Sequence, residues 1–150
     1  MEKEKAKIRG YFKIAVLDSA GEVKELREGP NTIMNLGIAE VTALMLTDVG
    51  GVAFDYLAIG TGTDAPNATD TSMYAETYRQ AGTGSQVTDA IESDSARLTT
   101  SVAITDSGDI TEVGIFNSSS TGVMLARTTF SAVSTSNGDT VNLGYDVILS

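Results

Sequence analysis

The sequence predicts a mainly β protein: an antiparallel β-sandwich or barrel-like domain with one α-helix and an N-terminal β-hairpin extension. From about residue 50 onward, short apolar and β-branched runs alternate with clusters of Gly, Asp, Asn and Ser, a pattern typical of all-β domains. Residues 32–47 instead carry apolar side chains at the three- and four-residue steps of a helix. A chain of 150 residues has the size of one domain.

The start of the chain predicts a β-hairpin. Residues 8–17 alternate apolar and polar side chains, residues 19–21 supply a turn, and residues 22–28 give a return strand with a less regular alternation. We therefore expect residues 1–29 to form a β extension, ahead of a β-sandwich domain that comprises residues 30–150.

Basic residues are concentrated in this N-terminal segment. Seven of the ten lie within the first 27 residues, and the remainder of the chain is strongly acidic. One interpretation is an assembly arm that docks on an acidic neighbour, such as another copy of the chain. The other is a solvated strand of mixed charge, which is the more common meaning of such a pattern.

A single helix is predicted near residues 32–47. Asn31 or Thr32 supplies an N-cap side chain, and Gly50 and Gly51 follow the expected end near Asp48. We expect the apolar stripe of this helix to pack on the sheets. The stripe consists of Ile33, Leu36, Gly37, Val41, Leu44 and Met45.

Six further strands are predicted in the body of the chain. They lie at residues 55–60, 76–81, 97–104, 110–117, 123–130 and 140–149. Residues 106–109 and 137–139 combine Asp, Asn, Ser and Gly, the residues that form tight hairpin turns. These turns predict a β-meander, in which strands consecutive in sequence are neighbours in the sheet.

Composition argues against most catalytic functions. The chain has no His and no Cys, so it lacks the side chain that titrates near neutrality and the thiolates that act as nucleophiles or zinc ligands. A net charge of −10 disfavours nucleic acid as a partner, because affinity for phosphates comes from Lys and Arg. The sequence shows neither the apolar run of a membrane span nor the pattern of a signal peptide. We therefore expect no nucleic-acid partner and no membrane partner.

Two segments carry a distinctive pattern. Residues 54–79 read FDYLAIGTGTDAPNATDTSMYAETYR: an apolar strand, a Gly-rich turn, a Thr- and Asp-containing loop and a Glu-x-x-Arg. Residues 110–130 read ITEVGIFNSSSTGVMLARTTF. Together these motifs resemble bacteriophage tail-collar fibre and related small virion proteins, over roughly residues 31–150. The resemblance implies a non-enzymatic structural component of a tailed-phage virion, associated with the tail fibre, collar or baseplate.

The resemblance also implies partners and a location. The expected partners are other copies of the chain, as a homotrimer, and other virion proteins of the tail or baseplate, so the expected localisation is the virion. The alternative is a capsid decoration (cement) protein that binds the major capsid protein and stabilises the head. A chain that stops at Ser150, directly after its last predicted strand, favours this alternative, because fibres usually continue into long repeats.

A second alternative belongs to a different functional class, a glycan-binding β-sandwich for host recognition. Such a site needs exposed aromatic side chains in one groove. The chain has only five Tyr and four Phe, most of them at predicted core positions or beside the Gly-rich turn.

The motifs contain seven candidates for structural or intersubunit contacts. The Gly-rich turn is most simply a sharp exit from the sheet with close packing. A phosphate-binding loop is less consistent, because no Gly-Lys-Ser/Thr follows and Asp64 adds negative charge. The acids and arginines fall on neighbouring β segments, so we expect charge-assisted hydrogen bonds across strands or between subunits. The seven residues are Glu76, Arg79, Glu112, Arg127, Gly60, Gly62 and Gly114.

Other acidic residues match a metal site or a hydrolase only in part. Asp64 and Asp70, like the aspartates of residues 106–109, have the hard oxygen ligands that calcium prefers, but neither pair has the spacing of a known calcium loop. Glu76 and Glu112 are the only candidates for the paired carboxylates of a glycoside hydrolase, and no aromatic cleft accompanies them. We therefore expect no catalytic, cofactor-binding or metal-binding residue.

Overall fold

The computed structural model describes residues 7–149, which form two antiparallel five-stranded sheets and one helix. The predicted fold class, a mainly β sandwich with one helix, is confirmed. A 3₁₀ turn (Thr47–Val49) follows the helix. The other elements are β1 (Ile8–Leu17), β2 (Val23–Pro30), β3 (Thr32–Ile33), α1 (Asn35–Leu44), β4 (Tyr56–Gly60), β5 (Glu76–Ala81), β6 (Thr83–Val87), β7 (Ser95–Ala103), β8 (Gly108–Phe116), β9 (Met124–Thr135) and β10 (Thr140–Leu149).

The two sheets are joined at both of their sides. Sheet A has the strand order β2-β1-β10-β7-β6, and sheet B has the order β3-β9-β8-β4-β5. The chain passes from sheet A to sheet B between β2 and β3, and back to sheet A between β5 and β6. Both passages connect edge strands, so the sandwich is closed on each side by a bent strand, as in a flattened barrel.

Gly82 forms the bend between β5 and β6. Its amide donates a 2.8 Å hydrogen bond to the carbonyl of Asp55. A Cβ at this position would lie 2.8 Å from the Leu98 side chain and 2.8 Å from the Thr99 carbonyl oxygen. Glycine therefore allows the chain to change sheets against the body of the sandwich without a clash.

The main core lies between the inner faces of the two sheets. Both sheets contribute alternate residues of their central strands, because side chains of a strand alternate between its faces. Complete burial of a side chain the size of Val, Leu, Ile or Phe stabilises the fold by about 1.5–3 kcal/mol. The buried core residues are Phe12, Ile14, Val16, Leu57, Ile59, Leu98, Val102, Ile104, Ile110, Val113, Ile115, Leu125, Ala126, Val133, Val141, Leu143 and Tyr145.

The N-terminal hairpin is part of this core. β1 pairs with β2 on one side and with β10 on the other. Phe12, Ile14 and Val16 are buried, and the Phe12 ring stacks on Phe130 with 5.5 Å between centroids. The extension expected at residues 1–29 stays a prediction, and β1 itself lies inside sheet A, between β2 and β10. The first six of those residues lie outside the described part of the chain.

The buried position of β1 leads to a test by substitution. Ile14→Val removes one methylene from a fully buried side chain and is expected to lower the free energy of unfolding by about 1 kcal/mol. Val23→Ala, at an exposed position of the same hairpin, should change it by less than about 0.5 kcal/mol. Urea denaturation measures both. Equal effects would contradict a core role for β1.

The helix is shorter than predicted. It begins after Met34, which has no side-chain cap, so the prediction that Asn31 or Thr32 caps it was wrong. Residues 32–33 pair instead with β9 as β3, and the Met34 amide continues this pairing with a 2.8 Å bond to the Leu125 carbonyl. Strand pairing therefore satisfies the backbone that the sequence pattern assigned to the first helical turn.

Gly37 is the buried residue of the helix. A Cβ on Gly37 would lie 2.6 Å from the Leu125 Cα, so the helix contacts the backbone of β9 directly. Half of the predicted apolar stripe packs on the sheets, namely Ile33, Gly37 and Val41. Leu36, Leu44 and Met45 are exposed.

The predicted hairpin turns at residues 106–109 and 137–139 are connections between sheets. β7 and β10 belong to sheet A, whereas β8 and β9 belong to sheet B. The prediction of a β-meander was wrong here because Asp, Asn and Gly specify a sharp turn but not the sheet that the next strand joins. That choice depends on which apolar faces can be buried together. β6 was not predicted from the sequence, because Thr83–Val87 has no apolar alternation and is held by pairing with β7.

Asp139, in the second of these connections, leads to a prediction about pH. Its carboxylate accepts bonds from Lys24 Nζ at 2.7 Å and from the Ser136 amide at 2.8 Å. The Lys24 hydrogen bond is the main cause that lowers the pKa of Asp139 from its ordinary 3.8. A carboxylate with a lowered pKa stabilises the fold above about pH 4, and this contribution is lost as the pH falls through the lowered value.

We therefore expect Asp139→Asn to be less stable than the wild type at neutral pH. The difference between the two proteins should shrink as the pH is lowered below about 4, since the wild-type carboxylate then also becomes neutral. Urea midpoints measured at neutral and acidic pH test this. A difference that stays constant over this range would contradict it.

Candidate functional site: the Glu112 cluster on sheet B

The motif residues meet on the face of sheet B that points away from the main core. Gly114 pairs with Arg127 across β8 and β9, and Glu112 pairs with Gly60 on β4. Val113 points into the core, so its neighbours in the strand point outward. Although they lie on the outer face, Glu112 and Arg127 are completely buried.

The carboxylate of Glu112 accepts four hydrogen bonds. Arg127 Nε donates at 2.7 Å, and the amides of Ala75, Gly62 and Tyr74 donate at 2.7, 3.1 and 3.2 Å. We call these five residues the Glu112 cluster. A buried ion pair stabilises a fold only when additional hydrogen bonds offset its desolvation. The three amides supply them for the Glu112 carboxylate, whereas Arg127 Nη1 and Nη2 are buried without a hydrogen-bond partner among the described residues.

The loop of residues 61–75 covers the cluster. It leaves β4 after Gly60, crosses the outer face of sheet B and enters β5. Met73 anchors it in a second apolar cluster, separate from the main core. The buried residues of this second cluster are Met34, Ala58, Met73, Phe116 and Met124.

Asp70 and Tyr74 of this loop surround the Arg127 guanidinium. The guanidinium carbon lies 4.4 Å from the centroid of the Tyr74 ring, a cation–π contact. Asp70 Oδ2 lies 3.8 Å from Arg127 Nη1 and accepts a 2.9 Å bond from the Asn67 amide. The charge of Asp70 raises the pKa of the Tyr74 hydroxyl. Arg127 therefore binds the loop through both a carboxylate and a ring.

The two glycines of the Gly-rich turn are required by contacts with Glu112. A Cβ on Gly62 would lie 2.6 Å from Glu112 Oε1. A Cβ on Gly60 would lie at the same distance from that oxygen and would overlap the Ala75 carbonyl oxygen. A side chain at Gly114 would cause a smaller clash, because its Cβ would lie 3.1 Å from the Met73 sulfur. The turn is glycine-rich because the backbone must approach a side-chain carboxylate closely.

Glu76 and Arg79 form a second ion pair, within β5. Arg79 Nε and Nη2 donate to the two carboxylate oxygens of Glu76 at 2.9 and 2.6 Å. Arg79 Nη1 donates to the carbonyls of Ser118 and Thr121 at 2.9 and 2.8 Å, and its guanidinium stacks 3.7 Å from the Phe116 centroid. The Glu-x-x-Arg motif thus holds the connection between β8 and β9.

The geometry bears on the alternatives that the sequence raised. The Gly62 amide, which a phosphate would need, donates to Glu112. The Glu112 carboxylate is buried beneath a loop and paired with Arg127, so it has no access to a substrate. Within residues 7–149, no group of three acidic side chains is placed to hold a metal ion. The charged groups of Glu76, Arg79, Glu112 and Arg127 contact one another or the backbone of the same chain.

The contacts of Asp70, Met73 and Tyr74 at this site were not predicted from the sequence, in which Asp70 was considered only as a calcium ligand. Nothing in the local pattern distinguishes these residues from other loop residues, because their contacts are with strands far away in sequence. The one available signal was the apolar Met73 in an otherwise polar loop, which predicts a loop packed on the protein rather than extended into solvent.

The comparisons with known proteins were negative: no protein-family model, no curated protein and no solved structure matches the chain. Among the described residues, no helix is long and apolar enough to cross a membrane. The resemblance to phage virion proteins therefore rests on the motif residues themselves.

Proposed function

We propose that this chain is a non-enzymatic structural component of a tailed-phage virion. It associates with the tail fibre, collar or baseplate, and it acts by binding other copies of itself, as a homotrimer, and other virion proteins. The observation that supports this most directly is the Glu112 cluster. The charged groups of Glu76, Arg79, Glu112 and Arg127 are used within the chain to fix a loop or a strand connection. The motif residues therefore fix the local structure of the chain, and a protein that assembles with others requires a fixed surface shape.

The absence of His and Cys from the sequence gives further support, because it removes the commonest general base and the thiol nucleophile.

A capsid decoration protein is the second candidate. The compact sandwich supports it, since a shell-binding subunit needs a rigid body with one docking surface. The incorporation of β1 into sheet A argues against the version in which residues 1–29 act as a detachable clamp.

Immunogold electron microscopy on purified virions, with an antibody raised against this chain, tests the proposal. Label at the neck, tail or tail tip is the expected result, and label distributed over the head would assign the chain to capsid decoration. Intact particles without label, from a lysate in which the antibody detects the chain, would reject the virion function. Particles of a related phage that lacks the chain provide the control for antibody specificity.

A further inference from the structure

All the sulfur in this chain belongs to methionine, because the sequence contains no cysteine. Three of the five methionines meet in the second apolar cluster, which anchors the loop of residues 61–75 on sheet B. Met34 and Met124 are 0% and 1% exposed, whereas Met73, which the loop itself supplies, is 7% exposed. Of these three side chains, Met73 is therefore the one that solvent reaches first.

The Met73 thioether lies directly against the backbone of β8. Its sulfur and its Cγ are 3.1 and 3.3 Å from the position that a Cβ on Gly114 would occupy, so the thioether fills the space of the missing side chain. The Phe116 ring borders the same space at 3.1 Å. An oxygen atom attached to the sulfur therefore either enters an apolar cluster or forces the side chain out of it.

Met73 directly precedes two of the amides that hold the loop on Glu112. The Tyr74 and Ala75 amides donate to the Glu112 carboxylate at 3.2 and 2.7 Å, and the Tyr74 ring covers the Arg127 guanidinium. Because these residues are adjacent in the chain, a movement of Met73 out of the apolar cluster also moves both amides away from the carboxylate. The thioether and the Glu112 cluster therefore hold the same end of the loop.

Thioethers react with peroxides by transfer of one oxygen atom. The sulfur lone pair attacks a peroxide oxygen, the O–O bond breaks and an S–O bond forms, so hydrogen peroxide is reduced to water and the sulfur is oxidised by two electrons. The product, methionine sulfoxide, is a polar side chain that disrupts apolar packing. Burial of its oxygen without a hydrogen-bond donor is unfavourable.

We propose that Met73 is an oxidation-sensitive anchor of the loop of residues 61–75. Oxygen transfer from a peroxide to its sulfur releases the loop from sheet B and takes the Tyr74 and Ala75 amides away from Glu112. The change is reversible, since reductases return methionine sulfoxide to methionine. The inference goes beyond the proposed function, because it concerns the isolated chain and does not depend on the particle to which the chain belongs.

Met45 provides an internal control for reactivity. It is 76% exposed and belongs to neither apolar cluster of the described residues. Hydrogen peroxide should therefore oxidise Met45 first without releasing the loop, then Met73, and Met34 and Met124 last. Mass spectrometry of proteolytic peptides, after increasing times in peroxide, measures this order. Oxidation of Met34 ahead of Met73 would overturn the inference, because Met73 would then not be the accessible sulfur of the cluster.

Amide hydrogen exchange on two matched variants tests the release of the loop. Met45→Leu keeps the thioether at residue 73, and Met73→Leu keeps the one at residue 45, while leucine preserves the apolar volume in both. After peroxide treatment, exchange at the Gly62, Tyr74 and Ala75 amides should become at least about tenfold faster in Met45→Leu and stay unchanged in Met73→Leu. Methionine sulfoxide reductases should restore the slow exchange.

Unchanged exchange in Met45→Leu, with the sulfoxide at Met73 confirmed by mass, would overturn the inference, as would equal acceleration in both variants. Met73→Gln is a second measure that needs no oxidant, because glutamine has about the length of methionine and a polar end. Met73→Gln should reproduce the fast exchange, and Met45→Gln should not. A Met73→Gln chain with wild-type exchange would contradict the role of this thioether as an anchor.

Discussion

Arg127→Met is expected to lower the free energy of unfolding by about 3–5 kcal/mol, the cost of leaving a buried charge without its partner. The Glu112 carboxylate would keep its three amide donors but would lose the guanidinium at 2.7 Å. The Tyr74 ring would also lose its cationic neighbour. Urea denaturation followed by far-UV circular dichroism measures the change.

Arg97→Met is the matched control. Arg97 binds Asp146 through two bonds of 2.7 and 2.8 Å, but this pair lies on the exposed face of sheet A, where such pairs contribute less than about 1 kcal/mol. Adding Glu112→Gln to Arg127→Met should recover part of the lost stability, because it removes the buried charge. A loss no larger than that of Arg97→Met would show that the Glu112 cluster does not stabilise the fold.

Gly60→Ala is expected to lower the free energy of unfolding by about 2–3 kcal/mol, in the range of overpacking changes. The new methyl group would overlap the Ala75 carbonyl oxygen and crowd Glu112 Oε1. Either the loop of residues 61–75 or the carboxylate must then move, and each movement breaks hydrogen bonds of the cluster. Faster hydrogen exchange at the Gly62 and Ala75 amides should accompany the loss of stability.

Gly144→Ala provides the comparison for this substitution. Gly144 also lies within a strand, but the nearest atom to its added Cβ is the Lys13 Cβ at 4.0 Å. The change should be neutral or stabilising by about 0.4–1 kcal/mol, since alanine reduces the freedom of the unfolded chain. If Gly60→Ala behaves like Gly144→Ala, the close approach at Gly60 does not constrain the sequence.

The positions of the strands could be predicted from the sequence where apolar and polar side chains alternate clearly and turn residues mark the ends of the strand. β1, β5 and β10 have the predicted bounds, since each alternates or has turn residues at its ends. The sheet to which each strand belongs could not be predicted, because the same turn residues join strands within one sheet and strands of two different sheets. β6 and β3 were missed because their pairing partners, not their own residues, make them strands.

The candidate site was predictable in its residues but not in its geometry. The sequence motifs singled out Glu112, Arg127, Gly60 and Gly62, and the structure brings these four together. Nothing local showed that Glu112 is buried beneath the loop, since a Glu on an alternating strand normally faces solvent. Leu36, Leu44 and Met45 show the opposite case, because helical periodicity predicted their burial and they are exposed in the structure.

The position of β1 has a consequence for biosynthesis. Its partner β10 is the last strand of the sandwich, and their pairing joins Ile8 to Leu149 and Leu17 to Thr140. During translation, the edge of β1 that pairs with β10 therefore has no partner until that strand has left the ribosome. Contacts between such distant segments form slowly, so the nascent chain passes through a period with an open core.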